Sequence, residues 1–349
     1  MNLASHVIFS GCICSVVFAF TLIFSRNNQF ANRFLAGIIL AFGINLAMIW
    51  ILSQSFFDQI PLLHLLPYGI GFGLGPIIYL YIKSLTSNDK LNYWHLLWLA
   101  ADYIHSAYHW IYGRSFPDHI WHEIADKIGS LAIFLIIYYL WISRKLILDY
   151  QNQLKQKLSN IEQRTLNWLN QFFLIFLIVI PLSIILWILV LATDLNVNNQ
   201  LGAPIVHLII IFWLGIGGIK QPQIILKEVN IDSSNGAGKE YQKHLDLLVD
   251  SMETDKLYKL NDLNVRLLED RLNLTAKQIS EALNKGLGKN FYSFINDYRV
   301  NEFKSRVSEA SNLTLAGLAY ECGFNSKTTF QRVFKEITGM RPSEYIDSL

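Results

Sequence analysis

The 349-residue sequence predicts an all-α chain in two parts, a seven-helix transmembrane bundle followed by a cytoplasmic domain with two helix-turn-helix units. Three observations predict it. Charge is divided unevenly, since residues 1–219 hold 11 Lys/Arg and 9 Asp/Glu whereas residues 220–349 hold 18 of each. Seven stretches of the first part are apolar enough to be spans, and a pattern of short helix, tight turn and second helix occurs twice in the second part. With 16% of residues charged, against roughly 25% in an ordinary soluble domain, a well-mixed soluble globule is excluded.

A spanning helix needs about 20 mostly apolar residues, because a rise of 1.5 Å per residue must cross roughly 30 Å of hydrocarbon. The stretches Leu3 to Phe24, Phe34 to Phe57, Ile60 to Ile82, Trp168 to Thr193 and Leu195 to Ile219 contain no Asp, Glu, Lys or Arg. Ile128 to Ser143 is uncharged but short, with Lys127, Arg144 and Lys145 placed to snorkel. Leu91 to Tyr112 is the weakest span, carrying Asp102, His95, His105 and His109. Trp94, Trp98, Trp110, Tyr112, Trp121 and Trp168 suit interfacial anchoring. In the third span Gly69, Gly71, Gly73 and Gly75 precede Pro76, a pattern for close helix contact or a kink.

Basic residues fix the topology, because Lys and Arg of short loops accumulate on the cytoplasmic side. Seven spans with the N-terminus outside place nine Lys/Arg in inside loops and two, Arg114 and Lys127, outside. Dropping the fourth span reverses that balance, so the expected topology is N-terminus out and C-terminus cytoplasmic. No Lys or Arg precedes Arg26, so the first span reads as a retained helix rather than a cleaved signal. Cys12, Cys14 and Cys322 make no disulfide framework and no CxxC pair.

Asp102, His105 and His109, spaced i, i+3, i+7, share one helix face, and the next outside loop adds Asp118, His119, His122 and Glu123. Ionisable groups at membrane depth are costly and face a bundle interior or a wet cavity. Interhelical hydrogen bonding is the plainest reading of the set. The functional readings are a candidate sensor site for a ligand or protons, or a metal site of imidazole and carboxylate ligands. No resident cofactor or metal is expected.

Residues 221–255 read as a linker and an amphipathic connecting helix. Val229 to Gly238 has flexible turn chemistry, and from Glu240 to Glu253 the residues Tyr241, Leu245, Leu248, Val249 and Met252 recur at helical spacing. That helix can dock on the domain that follows or pair with a second copy.

Residues 256–349 carry 14 Lys/Arg and 11 Asp/Glu, a balance compatible with nucleic acid. In the first unit a helix over Asp262 to Arg271, a turn at Leu272-Asn273-Leu274 and a helix capped by Thr275 are expected. In the second, Thr314 caps Leu315 to Cys322, Gly323-Phe324-Asn325 turns, and Ser326 starts a helix through Ile337. Between them Phe291 to Val307 reads as one helix of about 25 Å, a rigid spacer for two recognition helices in successive major-groove segments.

The run Leu315-Ala316-Gly317-Leu318-Ala319-Tyr320-Glu321-Cys322-Gly323-Phe324-Asn325-Ser326-Lys327-Thr328-Thr329-Phe330-Gln331-Arg332-Val333-Phe334-Lys335, with Gly339 and Pro342-Ser343-Glu344-Tyr345, closely resembles the signature of the AraC/XylS transcription regulators. Asn290 to Val300 looks like that family's connecting helix. The membrane part, through its topology and the stretch Gly75 to Thr86, resembles the subgroup with an N-terminal seven-span domain. The resemblance implies that Lys327, Thr328, Gln331, Arg332 and Lys335 face DNA, with Lys277, Gln278 and Glu281 at the corresponding positions of the first unit. It also implies core roles for Phe324, Phe330, Phe334 and Tyr345, and a buried ion pair for Arg299. Leu268 and Asn273 depart from the family's usual Ala and Gly, so the first unit is expected to pack differently.

The expected function is that of a membrane-embedded transcription regulator and not of an enzyme. Expected partners are double-stranded promoter DNA, the lipid bilayer, a second copy of the chain and RNA polymerase, with an unidentified signal. The competing readings are a metal-dependent seven-span hydrolase using Asp102, His105 and His109, and a receptor whose tail binds protein.

Overall fold

The computed structural model describes residues 3–52, 71–87, 89–115, 129, 131–161, 165–174, 176, 178, 202–222, 240–308 and 313–349. Among them every element is helical apart from one isolated antiparallel bridge between Leu158 and Asn264. The chain forms two compact units, residues 1–148 with 166–226, and residues 149–165 with 227–349.

The first unit begins with α1 (Leu3–Ile23), α2 (Gln29–Leu52) and α3 (Gly71–Thr86). A 3-10 turn (Tyr93–Leu97) leads into α4 (Trp98–Ser115), followed by α5 (Ala132–Lys157), whose residues from Asp149 on belong to the second unit, and α6 (Gly202–Lys220). Three of these, over Leu3–Ile23, Gln29–Ile51 and Gly202–Lys220, are long and apolar enough to cross a bilayer. Residues 53–70, which include the start of the expected third span, lie outside the described residues. So do most of the expected sixth span, the start of the seventh, the loop with Asp118, His119, His122 and Glu123, and the linker 223–239.

α1 packs on α2 and α6, burying Leu22, Leu35, Leu46 and Leu214. The outward sides of the same helices keep Val16, Phe20 and Ile209 more than half exposed, as does Trp141 on α5. The expected close contact of the Gly73-Gly75 region is present. A Cβ on Gly75 would lie 2.9 Å from Tyr139 Cβ and 3.3 Å from Ile136 Cα of α5, so the crossing leaves no room for a side chain there.

Asp102 is buried on α4. Its Oδ1 accepts from Phe72 N at 2.9 Å and its Oδ2 from Gly73 N at 2.8 Å, the amides that open α3. The carboxylate therefore caps a neighbouring helix, satisfying amides that have no partner within their own helix. His105, one turn on, is half-buried with its ring 6.2 Å from that of Phe72. His109 lies further along α4, and its side chain is outside the described residues. His95 Nδ1 shares a 2.8 Å hydrogen bond with Tyr139 Oη. Among the described residues no three His, Cys, Asp or Glu groups gather into a metal-holding set.

The second unit contains α7 (Glu240–Glu253), a 3-10 turn (Leu257–Lys259), α8 (Val265–Leu272), α9 (Ala276–Leu287) and α10 (Phe291–Arg306). It ends with α11 (Leu315–Glu321), α12 (Lys327–Thr338) and α13 (Pro342–Asp347). α7 docks on the domain that follows it. Leu245, Leu248 and Met252 enter one core with Leu268, Ile279, Ala282, Leu283 and Phe294. Leu268, where the family resemblance implies a small residue, is fully buried there.

Candidate nucleic-acid interface

The five helices α8 to α12 each start where a side chain takes the place of a missing backbone partner. Asn264 accepts from Leu267 N at 3.1 Å, so α8 begins three residues later than the expected Asp262. Thr275 and Gln278 form a reciprocal capping box that starts α9. Asn290 caps α10 through Ser293 N at 2.9 Å, and Thr314 caps α11 through Gly317 N at 3.1 Å. Ser326 accepts from Thr329 N at 3.0 Å and starts α12, which runs one residue past the expected Ile337.

Both turns use left-handed backbone, at Asn273 (φ 52°) in the first and Gly323 (φ 96°) in the second. The two are not equivalent. A Cβ on Gly323 would also collide with Tyr258 O, Arg299 Nε and Lys259 Cα, so the second turn is pressed onto the 3-10 turn and α10.

α12 buries Thr329, Phe330, Val333 and Phe334. Phe330 lies 4.5 Å from Phe303, 5.3 Å from Phe324 and 5.6 Å from Phe334 between ring centroids, the aromatic centre of this half. Phe324, Phe330 and Phe334 are thus core residues as the resemblance implies. Tyr345 is half-buried at the edge, 5.4 Å from Phe334 and with Lys304 Nζ over its ring.

The opposite side of α12 exposes Lys327, Thr328, Gln331, Arg332 and Lys335. Spacings of i, i+4 and i+8 align Lys327, Gln331 and Lys335, and Thr328 and Arg332 form the adjacent row. Such a face presents three cations and two hydrogen-bonding side chains, the groups that contact phosphates and base edges. Arg332 is held in place on its own side of the domain. Its Nη2 donates to Tyr292 Oη at 2.9 Å, and its Nη1 lies 3.3 Å from Glu336 Oε2.

The first unit is more covered. Lys277, Gln278 and Glu281 are all half-buried. Gln278 Oε1 accepts from Thr275 N at 2.8 Å within the cap, and Glu281 pairs with Lys285. Ser280, on the same helix, donates to Gln156 Oε1 at 3.4 Å.

Arg299 is buried as expected, and among the described residues its partners are oxygens other than carboxylates. Nε donates to Tyr258 O at 2.7 Å, and Nη2 donates to Leu260 O at 2.8 Å and Ser159 Oγ at 3.3 Å. The guanidinium also lies 5.9 Å from the Phe324 ring centroid. Among the described residues three oxygens and an aromatic face surround the guanidinium, because the backbone of the 3-10 turn runs directly past it. Burial pushes the Arg299 pKa down to about 10, which leaves it charged at neutral pH.

Residues 268–348 match the family model of a helix-turn-helix domain. This part of the chain is a helix-turn-helix domain. The match supports the AraC/XylS resemblance and a DNA-binding transcription regulator, with DNA as partner. No curated protein and no solved structure matches the chain. Two residues of this helix-turn-helix domain's architecture carried no signal of their role in the sequence. Tyr292 lies in a run read as connecting helix, and its reach to Arg332 is tertiary. Ser159 lies 105 residues before Asn264, in a segment read as a loop of the membrane part.

Proposed function

We propose that the chain is a membrane-embedded, one-component transcription regulator. Its first unit is a seven-span sensor with the N-terminus outside, and its helix-turn-helix domain binds specific promoter DNA from the cytoplasmic face of a bacterial inner membrane. One observation carries the reading: α12, capped by Ser326 and buried on its aromatic side, presents Lys327, Thr328, Gln331, Arg332 and Lys335 together to solvent. Membrane embedding is supported by three helices of spanning length and by their exposed apolar faces. It is also supported by the nine-to-two division of Lys and Arg among the loops.

In this reading α12 reads bases and the half-buried Lys277, Gln278 and Glu281 of α9 make the secondary contact. Asp102, His105 and His109 are the polar set that a signal would address in the first unit, with Asp102 joining α4 to the start of α3. Self-association would place two domains on one promoter, next to RNA polymerase. The protein acts by binding and not by catalysis.

Mapping the genomic DNA bound by the intact protein in its membrane tests the proposal. Enrichment of a small set of promoters sharing a sequence is expected, with enrichment lost in Arg332→Ala. Uniform recovery of DNA, or none, overturns it.

A further inference from the structure

α5 continues well beyond its apolar stretch, which ends at Ser143, and stops only at Lys157. Its residues up to Leu148 belong to the first unit, and residues 149–165 belong to the unit of the helix-turn-helix domain. The residues just past the end of α5 are inserted into that domain. Leu158 makes an antiparallel bridge with Asn264, the N-cap of α8. Ser159, only 1% exposed, donates from Oγ to Leu263 O at 2.6 Å and from N to the same oxygen at 3.4 Å. Its Oγ accepts from Arg299 Nη2 at 3.3 Å, and its carbonyl accepts from Asn296 Nδ2 at 3.3 Å. Gln156, one turn earlier, receives the Ser280 hydroxyl of α9.

Buried polar groups need partners, and a buried charge needs them most. Among the described residues, Ser159 supplies the one side-chain oxygen to which Arg299 donates a hydrogen bond; its other acceptors are the carbonyls of Tyr258 and Leu260. Those carbonyls lie just before the first helix-turn-helix unit, and Gly323, the turn of the second unit, is packed on the same Tyr258 oxygen and Arg299 Nε. Ser159 therefore completes the polar joint between the two reading units. Among the described residues, the insertion covers none of the exposed face of α12.

We propose that residues 149–161 are a coupling strut. Docked, Ser159 holds the two helix-turn-helix units in register for DNA; withdrawn through a movement of α5, it frees Arg299 and the register is lost. The route differs from the linker 223–239, since α5 is one continuous helix ending two residues before the inserted serine. The inference rests on the DNA-binding reading above, and its test separates the two.

The test uses the full-length chain in its membrane, carrying Leu158→Cys and Asn264→Cys at the bridge. Mild oxidation is expected to join the two cysteines within one chain, and adding Ser159→Leu is expected to lower that yield several-fold. Genome-wide DNA occupancy is expected to fall at least tenfold with Ser159→Leu. It is expected to fall several-fold with the smaller Ser159→Ala at unchanged protein level, and to stay at the parent value with Asn152→Ala, an exposed position on α5. No disulfide with Ser159 present overturns the docking. A disulfide lost in Ser159→Leu with occupancy unchanged or raised overturns the coupling. A disulfide that forms in a chain whose parent occupies no genomic DNA overturns the transcription-factor reading, and the strut's output with it.

Discussion

Arg332 of α12 is anchored on Tyr292 of α10, with Nη2 2.9 Å from the Tyr292 hydroxyl and the guanidinium 6.0 Å from its ring centroid. α12 and α10 are thus joined through a guanidinium, the group best suited to bind a guanine edge. A guanidinium fixed before DNA arrives loses less freedom on binding than a free one. Arg332→Ala is expected to weaken binding to the mapped promoter DNA by about 1–3 kcal/mol. Tyr292→Phe keeps the ring beneath the guanidinium and removes one hydrogen bond, so its effect is expected to be about 1 kcal/mol or less. Fluorescence anisotropy with promoter and random duplexes measures both; equal losses on the two duplexes make Arg332 a phosphate contact.

Gly323 and Gly339 both have positive φ, at 96° and 81°, yet they differ in surroundings. A Cβ on Gly339 meets nothing within 4 Å, whereas one on Gly323 meets Tyr258 O and the Arg299 guanidinium. Gly339→Ala is expected to cost only the backbone strain, about 1 kcal/mol. Gly323→Ala adds a steric conflict at the joint between the two helix-turn-helix units and is expected to destabilise the domain by more than about 3 kcal/mol. Thermal unfolding of the solubilised protein, followed through the second unit, would show two equal shifts if the packing at Gly323 were unimportant.

Cys322 closes α11 and is fully buried. Burial is the first cause that raises its thiol, to about 11, with the carboxylates of Glu302 and Glu321 adding to it against Arg306 and Lys259. Alkylation requires the thiolate and access to it, and the fold denies both. Maleimide at mildly alkaline pH is expected to leave Cys322 unmodified until the domain unfolds, as peptide mass spectrometry reads directly. Labelling at the rate of a free thiol would mean that the α11 turn opens in the native state.

Much of the second unit was legible because its signals are local. Thr275, Thr314 and Ser326 announce helix starts, Asn273 and Gly323 announce turns, and amphipathic spacing marks the buried face of α12. The exposed set on α12 follows from that spacing together with the family signature. The features that could not be read were tertiary. Arg299 looked like an ion-pair residue because a buried guanidinium ordinarily needs a carboxylate, but backbone carbonyls brought by the 3-10 turn serve as well. Interhelical hydrogen bonding, the plainest reading of Asp102, is what joins α4 to α3, but nothing in its spacing singles out the amides of Phe72 and Gly73 as the donors to both its oxygens. Hydrophobic length marks where the apolar stretch of α5 ends, but not that the helix runs on to Lys157 and brings Ser159 to Arg299.

Glu302 links the acid stability of the domain to this same joint. Its Oε1 lies 2.6 Å from Lys259 Nζ, and its Oε2 accepts from the Tyr258 hydroxyl at 2.9 Å, steadying the residue whose carbonyl receives Arg299. Burial alone would raise the Glu302 pKa; the hydrogen bonds from Lys259 and Tyr258 and the charges of Lys259 and Lys256 outweigh it, so the carboxyl sits below its ordinary value of 4.5. A carboxyl held below its unfolded value stabilises the fold above that value, and the contribution is lost as pH falls through 4.5 and then through the folded value. Because the pair is partly open to solvent, the contribution near neutral pH is expected to be about 1 kcal/mol or less. Glu302→Gln should therefore melt lower than the parent near neutral pH, and the two melting curves should converge in acid, where the parent's carboxyl is itself neutral. A constant offset at every pH would mean that Glu302 acts by shape alone, and that the Lys259 and Tyr258 contacts do not depend on its charge.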